Sequence, residues 1–402
     1  MGAAGTTLGD AVNEESFIVG AGASVLGERP NVSAVSLQVE AIHAALSDAG
    51  MSVAEVDGLI VRGPDDVYSF HQHVGKRLGI KPTLATSLSN GGASQALGVA
   101  LARMAIREGL ASTVVCGYAR DGWSRTRGPA KGGRQTTTGR VALVPIQMQA
   151  QEFGPEYGFF GAAAMHAMGA RRHMDLYGTT KEALGEVAIA FREHASRNPQ
   201  AQRQAPLGWE EYFSGRRVVD PFNIYDCSLL TDGAGAVVVT GEARARDSKT
   251  HAVRIAGVGA ANNSPGWFMD DHMVRTSAVG SGQMAYRQAG MSPSDVDMVQ
   301  LYDCFTYMVL VQLEDYGFCG KGEAADFVKD GALRLGSQLP ANTSGGQLSE
   351  GHVEGMLQIV EAVRQLRWSY PVERQVEGAQ VALVSGHGGN AISHSTLILT
   401  RD

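Results

Sequence analysis

The residues best suited to chemistry lie in one glycine-rich stretch, Leu339-Pro-Ala-Asn-Thr-Ser-Gly-Gly-Gln-Leu-Ser-Glu-Gly-His-Val-Glu-Gly355. Its glycine pair, Gly345 and Gly346, and then Gly351 and His352 precede a run with helical spacing, Met356 to Leu366. Glycine permits positive φ and close approach of the backbone to a ligand, so the stretch predicts a shaped loop. An imidazole in such a loop can transfer protons. A single histidine can equally be a packed core residue, and this stretch alone leaves both interpretations open.

Composition narrows the class of protein. A chain of 402 residues can form two or three units with substantial cores. The net charge of −7 argues against a general nucleic-acid-binding surface. No apolar run is long enough to predict a transmembrane helix, and the first residues lack the pattern of a secretory signal. Widely spaced cysteines predict neither a metal site nor a disulfide framework, which favours a cytoplasmic protein. They are Cys116, Cys227, Cys304 and Cys319.

Strands and helices alternate along the first part of the chain. Residues 1–15 are expected to form a flexible N-terminus. Helical spacing from Val32 to Ala49 ends at Gly50, which is typical of a helix and its C-terminal glycine. A strand is expected over Val56–Val61, a helix from about Ala93 to Glu108, and a strand over Thr113–Cys116. This alternation predicts an α/β sheet.

The middle of the chain differs from the segments around it. Residues 117–222 contain a stretch rich in Arg, Lys, Gly and Thr, then helices expected near Phe159–Met174 and Thr180–Ser196. This region is predicted to be a loop domain inserted into an N-terminal half that spans residues 16–245. The C-terminal half is expected over residues 250–402.

Two segments of the chain repeat one pattern. Ala289-Gly-Met-Ser-Pro-Ser-Asp-Val-Asp-Met-Val-Gln-Leu301 resembles Ala49-Gly-Met-Ser-Val-Ala-Glu-Val-Asp-Gly-Leu-Ile-Val61, and each follows a helix and leads into a strand. Such self-similarity indicates internal duplication, although a common helix–turn–strand arrangement can also arise twice by chance. The second half is expected to end with a strand over Gln380–Val384, a glycine turn over 386–389 and a strand over Ser393–Thr400. Two similar halves predict one site where their loops meet.

Four motifs follow one another along the chain: Gly91-Gly-Ala-Ser94, Thr231-Asp-Gly-Ala-Gly-Ala236, Tyr302-Asp-Cys-Phe305, and Asn342 to Gly355 followed by Gly386-His-Gly-Gly389. In this order they resemble the thiolase superfamily, in particular its lipid-transfer-protein or sterol-carrier thiolase-like branch. The resemblance covers about Ser16 to Arg401.

The resemblance implies a five-layered α/β/α/β/α fold, built from two duplicated halves with an inserted loop domain. It also implies a homodimer, a channel for the pantetheine of coenzyme A, and chemistry at the carbon next to a CoA thioester carbonyl. The glycines expected to line the CoA site are Gly345, Gly346, Gly388 and Gly389. Basic residues of the inserted segment can meet the CoA phosphates, although a solvated loop is the alternative for each. They are Arg120, Arg125, Arg127, Lys131, Arg134 and Arg140.

The chain departs from the thiolase pattern at both catalytic cysteines. The nucleophilic cysteine of a thiolase lies at a helix N-terminus, where its thiol pKa is lowered. That position falls on Gly92, which cannot be acylated. The second cysteine, a proton carrier, falls on or near Ser385, and a serine hydroxyl is too weak an acid to replace it. Neither nearby hydroxyl, Ser89 or Ser94, has an obvious activating base in the sequence.

Other residues at the expected site can still transfer protons. Tyr302 brings a phenol to the place of a family asparagine, and a phenol suits proton exchange with an alcohol; its alternative role is to fill space near Phe305. His352 matches the family histidine that stabilises negative charge on the thioester oxygen. His387 can face the same cavity. Asp303, next to Tyr302, completes the catalytic candidates.

These departures favour an aldolase. A similar branch of the superfamily contains aldolases that shorten steroid side chains, some with a second tyrosine at the place of His352. The resemblance implies retro-aldol cleavage of a β-hydroxyacyl-CoA to a ketone or aldehyde and acetyl- or propionyl-CoA. No metal, redox cofactor or cysteine is required. Those aldolases act with a DUF35-type partner that has a zinc ribbon and an OB-fold, so the resemblance implies such a partner for this chain.

Two other functions stay open at the sequence level. An acyltransferase or Claisen-type enzyme would need another acyl acceptor, for which Cys116, Cys227 and Cys304 are available. A non-catalytic CoA- or lipid-binding subunit would also explain the loss of both cysteines. Within the aldolase hypothesis, the sequence does not separate cleavage from condensation, because an aldol reaction runs in both directions.

Overall fold

A computed structural model describes residues 15–126, 161–263, 274–389 and 391–401. Nearly all of the expected flexible N-terminus therefore lies outside the described residues. The first half begins with strands and helices in alternation. These are β1 (Ser16–Ala23), α1 (Ala34–Ala49), β2 (Gly58–Arg62), α2 (Phe70–Leu78), β3 (Leu84–Ser87), α3 (Ser94–Arg107) and β4 (Thr113–Asp121).

Short elements and two long helices then connect β4 to the next strand of the main sheet. They are α4 (Gly122–Thr126), α5 (Gly161–Tyr177), α6 (Lys181–Ser196), α7 (Trp209–Ser214), β5 (Arg217–Val219) and β6 (Phe222–Asn223). This connection holds the segment predicted as an insertion, although β4 continues to Asp121, past the predicted start at residue 117.

The main sheet resumes with β7 and continues through the second half. The elements are β7 (Asp232–Gly241), α8 (Glu242–Ala245), β8 (Val253–Asn262), α9 (Ala278–Ala289), β9 (Met298–Gln300), α10 (Thr306–Asp315), α11 (Ala324–Phe327), α12 (Gly346–Ser349), α13 (Met356–Leu366), β10 (Val381–Gly388) and β11 (Ser393–Arg401). The strand order is β3-β2-β4-β7-β1-β8-β11-β10-β9. Strands β1 and β8 join the two halves, through the pairs Phe17–Arg254 and Ile18–Val253.

The strand order confirms the duplication. The strands at the outer end of each half are parallel: β3, β2 and β4 in the first half, and β9 and β10 in the second. The pairs between them in the strand order are antiparallel. Helix α1 ends at Gly50 with φ 69°, and α9 ends at Gly290 with φ 66°. A single 3₁₀ turn follows each glycine. The turns begin with matching caps, in which the N–H of Ser52 or Ser292 donates to a carboxylate three residues later.

Helices α3 and α13 form the central layer. Each contacts strands of both halves, α3 packing against β4 and β11 and α13 against β7 and β10. Helices α1 and α2 cover the first half of the sheet, whereas α9 covers β8 and β11 and packs on α10. The two halves of the nine-stranded sheet therefore form two layers on either side of the central helices, and the outer helices cover both. This confirms the five-layered α/β/α/β/α arrangement. The described helices include none that is long and apolar enough to cross a membrane.

Glycines let the outer helices lie directly on the strands. A Cβ atom at Gly20 would lie 2.2 Å from the Ala45 carbonyl oxygen of α1, and one at Gly257 would lie 2.2 Å from the Ala285 carbonyl oxygen of α9. Each contact is with backbone, which cannot move aside as a flexible side chain can. The close approach is repeated in the two halves, so it is part of the duplicated unit.

The prediction of a glycine turn over residues 386–389 is wrong in one respect. Gly386 and Gly388 belong to β10, which pairs with β11 as far as Gly388–Ser393. A Cβ atom at Gly388 would lie 1.9 Å from the Asn90 carbonyl oxygen. These glycines therefore let the strand pass against the loop before α3, and the chain turns only after them.

We expect the replacement Gly259→Ala to lower the free energy of unfolding by about 1–3 kcal/mol, the usual cost of overpacking. The added Cβ atom would lie 1.8 Å from the Ser281 carbonyl oxygen of α9. Urea unfolding measures the effect. Gly208→Ala is the control, because a Cβ atom there meets nothing within 4 Å. Equal stability of the two variants would contradict the packing described.

Candidate active site

Tyr302 and His352 meet where the loops of the C-terminal half converge. Tyr302 follows β9, and His352 lies in the loop between α12 and α13. The Tyr302 hydroxyl lies 3.4 Å from His352 Nε2. On the other side of the imidazole ring, His352 Nδ1 lies 3.1 Å from the Ser228 hydroxyl. The backbone N–H of His352 donates to Thr231 Oγ1 at 2.8 Å. Because Ser228 can donate or accept, Nε2 can serve as donor or acceptor.

The Tyr302 ring occupies the space beside Gly92. Gly92 lies in the 3₁₀ turn Gly91–Ala93 that leads into α3. A Cβ atom at Gly92 would lie 2.0 Å from Tyr302 Cε2 and 2.6 Å from the His387 carbonyl oxygen. Any side chain at this position would therefore overlap the phenol ring. Tyrosine at 302 and a nucleophilic side chain at 92 exclude each other in this backbone.

Ser385 has a structural partner. Its hydroxyl is buried and donates to the Gln312 side-chain oxygen, while Gln312 Nε2 donates to the Tyr302 carbonyl oxygen at 2.9 Å. Ser385 therefore helps to hold the Tyr302 backbone, two contacts away from the phenol. Of the other nearby hydroxyls, Ser94 accepts the Asn90 N–H at 2.8 Å and so caps the turn before α3.

Asp303 fixes the glycine loop. Its buried carboxylate accepts the N–H groups of Gln347 and Leu348 at 3.0 and 3.2 Å and the Gln358 amide at 2.9 Å. Burial raises the pKa of Asp303 to about 6, against the lowering effect of these donors. These contacts lie toward α12 and α13, so the geometry favours a positioning role over direct proton transfer.

The predicted glycines shape the loops around Tyr302. Gly345 and Gly346 have φ of 104° and 58°, and a Cβ atom at Gly346 would lie 2.2 Å from Asp303 Oδ2. Gly388 packs against the turn before α3, and Gly389 has φ 59°. Gly346 and Gly388 therefore bring backbone close to Asp303 and to the turn before α3, whereas Gly345 packs on Ala195 of α6. Contact of these glycines with CoA stays a prediction.

The basic residues predicted to meet the CoA phosphates do not share one environment. Arg125 is partly exposed and pairs with Asp66 and with Asp121. Arg120 turns inward instead, toward Glu354. Arg127, Lys131, Arg134 and Arg140 lie outside the described residues.

Sequence reasoning missed a group of charged residues behind the His352 loop. Glu354 binds Arg62 through Oε2 and lies 3.5 Å from Arg120 Nη1 through Oε1. Burial tends to raise the pKa of Glu354, but Arg62 and Arg120 lower it below its usual value. The available signal was the position of Glu354, two residues after His352 in a loop of glycines. Arg62 is far away in sequence, at the end of β2.

A second group joins three elements through Cys304. Sequence reasoning named His387 and Cys304 separately but missed His166 and the contacts among the three. His387 Nδ1 accepts the Ala391 N–H at 3.1 Å, so Nε2 carries the proton and donates to Cys304 Sγ at 3.2 Å. His166 Nδ1 donates to the Ala162 carbonyl oxygen at 2.7 Å, which leaves Nε2 to accept from Cys304 at 3.9 Å. The ring of His387 also packs edge-on against Tyr302, with centroids 4.6 Å apart.

The same three side chains have the ligand types of a metal site. Their donor atoms lie within 4.8 Å of one another. A ligating His387 Nε2 would need a lone pair, yet the Ala391 N–H already requires the lone pair on Nδ1. Burial also raises the pKa of the Cys304 thiol well above its usual value, which disfavours the thiolate that metals bind. The arrangement therefore fits a hydrogen-bond chain better than a metal site.

The histidines of the site are neutral at physiological pH. Burial lowers the pKa of His352 to about 3, and Arg120 adds to this effect. Burial also lowers the pKa of His166 to about 4 and that of His394 to about 3. The pKa of His387 is lowered too, by burial and then by the neighbouring histidines. Burial raises the pKa of the Tyr302 phenol well above its usual value.

Comparisons with known proteins identify the family of the chain. Residues 259–401 match the family described as thiolase C-terminal domain-like. A steroid side-chain-cleaving aldolase of Thermomonospora curvata is 37% identical over 96% of the chain and 97% of its own length. A 17-hydroxy-3-oxo-4-pregnene-20-carboxyl-CoA lyase of Mycobacterium tuberculosis is also 37% identical, over 96% of the chain and 99% of its own length.

Solved structures agree in fold. The Ltp2-ChsH2(DUF35) aldolase has a TM-score of 0.86 and 34% identity, and the match covers 98% of the chain and 99% of that protein. Human mitochondrial 3-ketoacyl-CoA thiolase has a TM-score of 0.69 at 18% identity, with 96% and 99% covered, and supports the fold alone.

We expect the buried histidines to make the protein sensitive to acid. The unfolded chain binds protons on these groups below about pH 6.5, whereas the native chain does not until much lower pH. Stability is therefore present above about pH 6.5 and lost as the pH falls. His394 is the clearest case, because both of its ring nitrogens lack a hydrogen-bond partner among the described residues.

The variant His394→Phe should lose less stability than the wild type between pH 7.5 and 5.5, by about 1.4 kcal/mol for each pH unit below 6.5. Urea unfolding at both pH values measures the difference. His43→Gln, at an exposed position of α1, is the control. An unchanged pH dependence in His394→Phe would show that His394 is charged in the native protein.

Proposed function

The chain belongs to the thiolase superfamily, and we propose that it is a CoA-thioester aldolase that cleaves a β-hydroxyacyl-CoA by a retro-aldol reaction. The products are a ketone or aldehyde and acetyl- or propionyl-CoA. One observation carries the proposal: the Tyr302 phenol fills the space beside Gly92, where a thiolase has its nucleophile. The site therefore offers proton transfer at the place where the superfamily offers acylation.

The reaction begins at the β-hydroxyl of the substrate. Tyr302 takes the hydroxyl proton after passing its own phenol proton to His352 Nε2, which lies 3.4 Å away. The oxygen forms the carbonyl of the ketone or aldehyde as the Cα–Cβ bond breaks, and the bonding electrons pass to the CoA thioester as an enolate. A proton then returns to Cα and gives the shorter acyl-CoA. The proton moves from oxygen to carbon overall, and nothing is oxidised or reduced.

The enolate requires a hydrogen-bond donor at its oxygen. The imidazolium that forms when His352 takes the phenol proton is such a donor, held by Ser228 on its other side. A preorganised donor of this kind contributes about 3–4 kcal/mol to transition-state stabilisation. Burial lowers the pKa of His352 to about 3, so the imidazolium can exist only while the negative charge on the phenolate or enolate lies beside it, and it gives up its proton when that charge is lost.

The relatives suggest the substrate class and the assembly. Two of them are named as a steroid side-chain-cleaving aldolase and a pregnene-carboxyl-CoA lyase, so we propose a steroid or similarly bulky acyl-CoA for this chain. The similarity to the Ltp2-ChsH2(DUF35) aldolase supports a DUF35-type partner. A homodimer and a cytoplasmic location complete the proposal, with coenzyme A entering as part of the substrate.

An acyltransferase is the weaker alternative. Its acyl acceptor would be a thiolate, and burial raises the pKa of Cys116 and Cys304, and that of Cys227 to about 12. Cys116 lies within β4 and donates to the Gly98 carbonyl oxygen. Cys304 contacts two imidazoles. The His387 nitrogen is a donor to its sulfur and cannot act as a base, and His166 Nε2, which accepts from the thiol, lies 3.9 Å away and is a weak base because burial lowers the pKa of His166 to about 4. A non-catalytic CoA-binding subunit would not need the Tyr302–His352 contact.

The proposal is tested with a panel of β-hydroxyacyl-CoA compounds, steroid side chains included, with and without a DUF35-type partner protein. We expect ketone or aldehyde together with acetyl- or propionyl-CoA from at least one member, detected by mass spectrometry. Intact CoA binding without cleavage of any member would contradict the aldolase function.

Tyr302→Phe should reduce turnover of a cleaved substrate by about 100-fold or more, because the variant lacks the hydroxyl that takes the proton. Binding of acyl-CoA should change little, since the ring still fills the space beside Gly92. Tyr286→Phe is a matched control: it also removes a buried hydroxyl, one that donates to the Tyr316 carbonyl oxygen away from the site. A near-normal rate in Tyr302→Phe would remove Tyr302 from the mechanism.

A further inference from the structure

Two arginines and one glutamate are drawn together next to the Tyr302–His352 pair. Arg62 binds Glu354 with one guanidinium nitrogen and Asp65 with another, at 2.7 Å. Arg120 has a single, longer contact of 3.5 Å with the other Glu354 oxygen. Asp65 is about half exposed, whereas the side chains of Arg62 and Glu354 are largely buried. Glu354 is therefore shared, and Arg120 has no carboxylate of its own among the described residues.

The backbone around the cluster is shaped to hold it. Glu354 has φ 42°, a left-handed conformation that costs a non-glycine residue about 1–3 kcal/mol. On the opposite side, a Cβ atom at Gly122 would lie 2.6 Å from Arg120 Nε. Glycine at 122 leaves room for the Arg120 side chain beside the end of β4. The strained backbone of Glu354 is the stronger sign that the arrangement is kept for a function of the site.

The part of the cluster that is shielded from water carries an excess of positive charge. Arg62 and Arg120 contribute two positive charges there and Glu354 one negative charge, whereas the balancing charge of Asp65 is about half exposed and is screened by water. The reaction proposed above forms negative charge on the phenol, and later on the enolate. In a site shielded from water, a fixed positive charge stabilises such anions more strongly than it does in solution.

We propose that Arg120, held by Glu354, is a positioning residue that stabilises the two anions formed at the site, the Tyr302 phenolate and the CoA enolate. This inference rests on the proposed function, since it concerns the enolate and phenolate of that reaction. Arg120 acts through Tyr302 and His352 and need not touch the reacting carbon.

Several charged or titratable groups face Tyr302 besides Arg120. Burial is the largest of the effects that raise the pKa of the Tyr302 phenol. Glu354, Cys304 and Tyr118 raise this pKa further, and Arg120 lowers it. Removal of Arg120 should therefore make the phenol a harder group to ionise, while removal of the Glu354 charge should make it easier. The groups that contact the ring or act on it electrostatically are Arg62 on β2, Tyr118 and Arg120 on β4, the adjacent Cys304, His352 and Glu354 before α13, and His387 on β10.

The test measures exchange of the Cα hydrogens of acetyl-CoA and propionyl-CoA in heavy water by mass spectrometry, across pH. By microscopic reversibility, a site that protonates the enolate also removes a Cα proton. Arg120→Gln should slow exchange by about 100-fold or more and move the rise of the rate to higher pH. Glu354→Gln should move that rise to lower pH. Arg120→Lys keeps the charge and should restore most of the rate.

Arg246→Gln is the control, because Arg246 is exposed and pairs only with Glu242 on the surface among the described residues. A purely structural role for the cluster predicts slower exchange in both Arg120→Gln and Glu354→Gln with no shift in pH profile, and that result would overturn the proposal. If Arg120→Gln does not fold, the opposite shift in Glu354→Gln and the rescue in Arg120→Lys decide the question.

The outcomes separate this inference from the proposed function. Arg120-dependent exchange without cleavage of any β-hydroxyacyl-CoA would reject the aldolase and support the role of Arg120. Cleavage at a normal rate in Arg120→Gln would support the aldolase and overturn the role of Arg120. Absence of exchange in the wild type would overturn the inference as well.

Discussion

The contact between the Tyr302 ring and Gly92 is the constraint on which the site depends. The ring lies where any side chain at 92 would have to be, and other glycines complete the fit: a Cβ atom at Gly355 would lie 3.2 Å from Tyr302 Cδ2. The fold presents the N-terminal turn of α3 to this position, as expected for a superfamily that places a nucleophile there. With a phenol in that space, the proposed mechanism replaces covalent catalysis by acid–base chemistry on the same CoA thioester.

Burial then determines which groups can carry charge. The histidines around Tyr302 are neutral because few of them have a charged partner and all are removed from water. The permanent charges are those of Arg62, Arg120 and Glu354, which form an ion-pair cluster next to Tyr302 and His352. In the proposed mechanism, proton transfer by Tyr302 and His352 and charge stabilisation by Arg120 are therefore separate tasks, performed by side chains on different elements. Asp303 holds the loop that carries His352 in place.

Local sequence patterns predicted the fold well, because they reflect local physics. The bounds of α13, Met356–Leu366, and the glycine ends of α1 and α9 follow from helical spacing and positive φ. The repeat around Gly50 and Gly290 predicted two similar halves, which the strand order confirms. The glycines of β10 misled because a glycine cluster indicates either a turn or a close backbone contact, and only the position of Asn90 distinguishes these.

The site was predictable only in part. Tyr302 and His352 lie together as their motifs suggested, but the direction of a side chain depends on contacts far apart in the sequence. Asp303 faces the glycine loop, Arg125 faces surface carboxylates, and the ion pair between Arg62 and Glu354 joins residues that are 292 positions apart. Neither periodicity nor spacing contains that information.

The most direct test of a site without a covalent acyl intermediate is the intact mass of the protein during turnover. The enzyme is mixed with a cleaved β-hydroxyacyl-CoA, quenched with acid at intervals from milliseconds to minutes, and analysed by mass spectrometry. The account predicts the unmodified mass at every interval while acetyl- or propionyl-CoA accumulates. A transient increase by the mass of an acetyl or propionyl group, located on a cysteine, would contradict it.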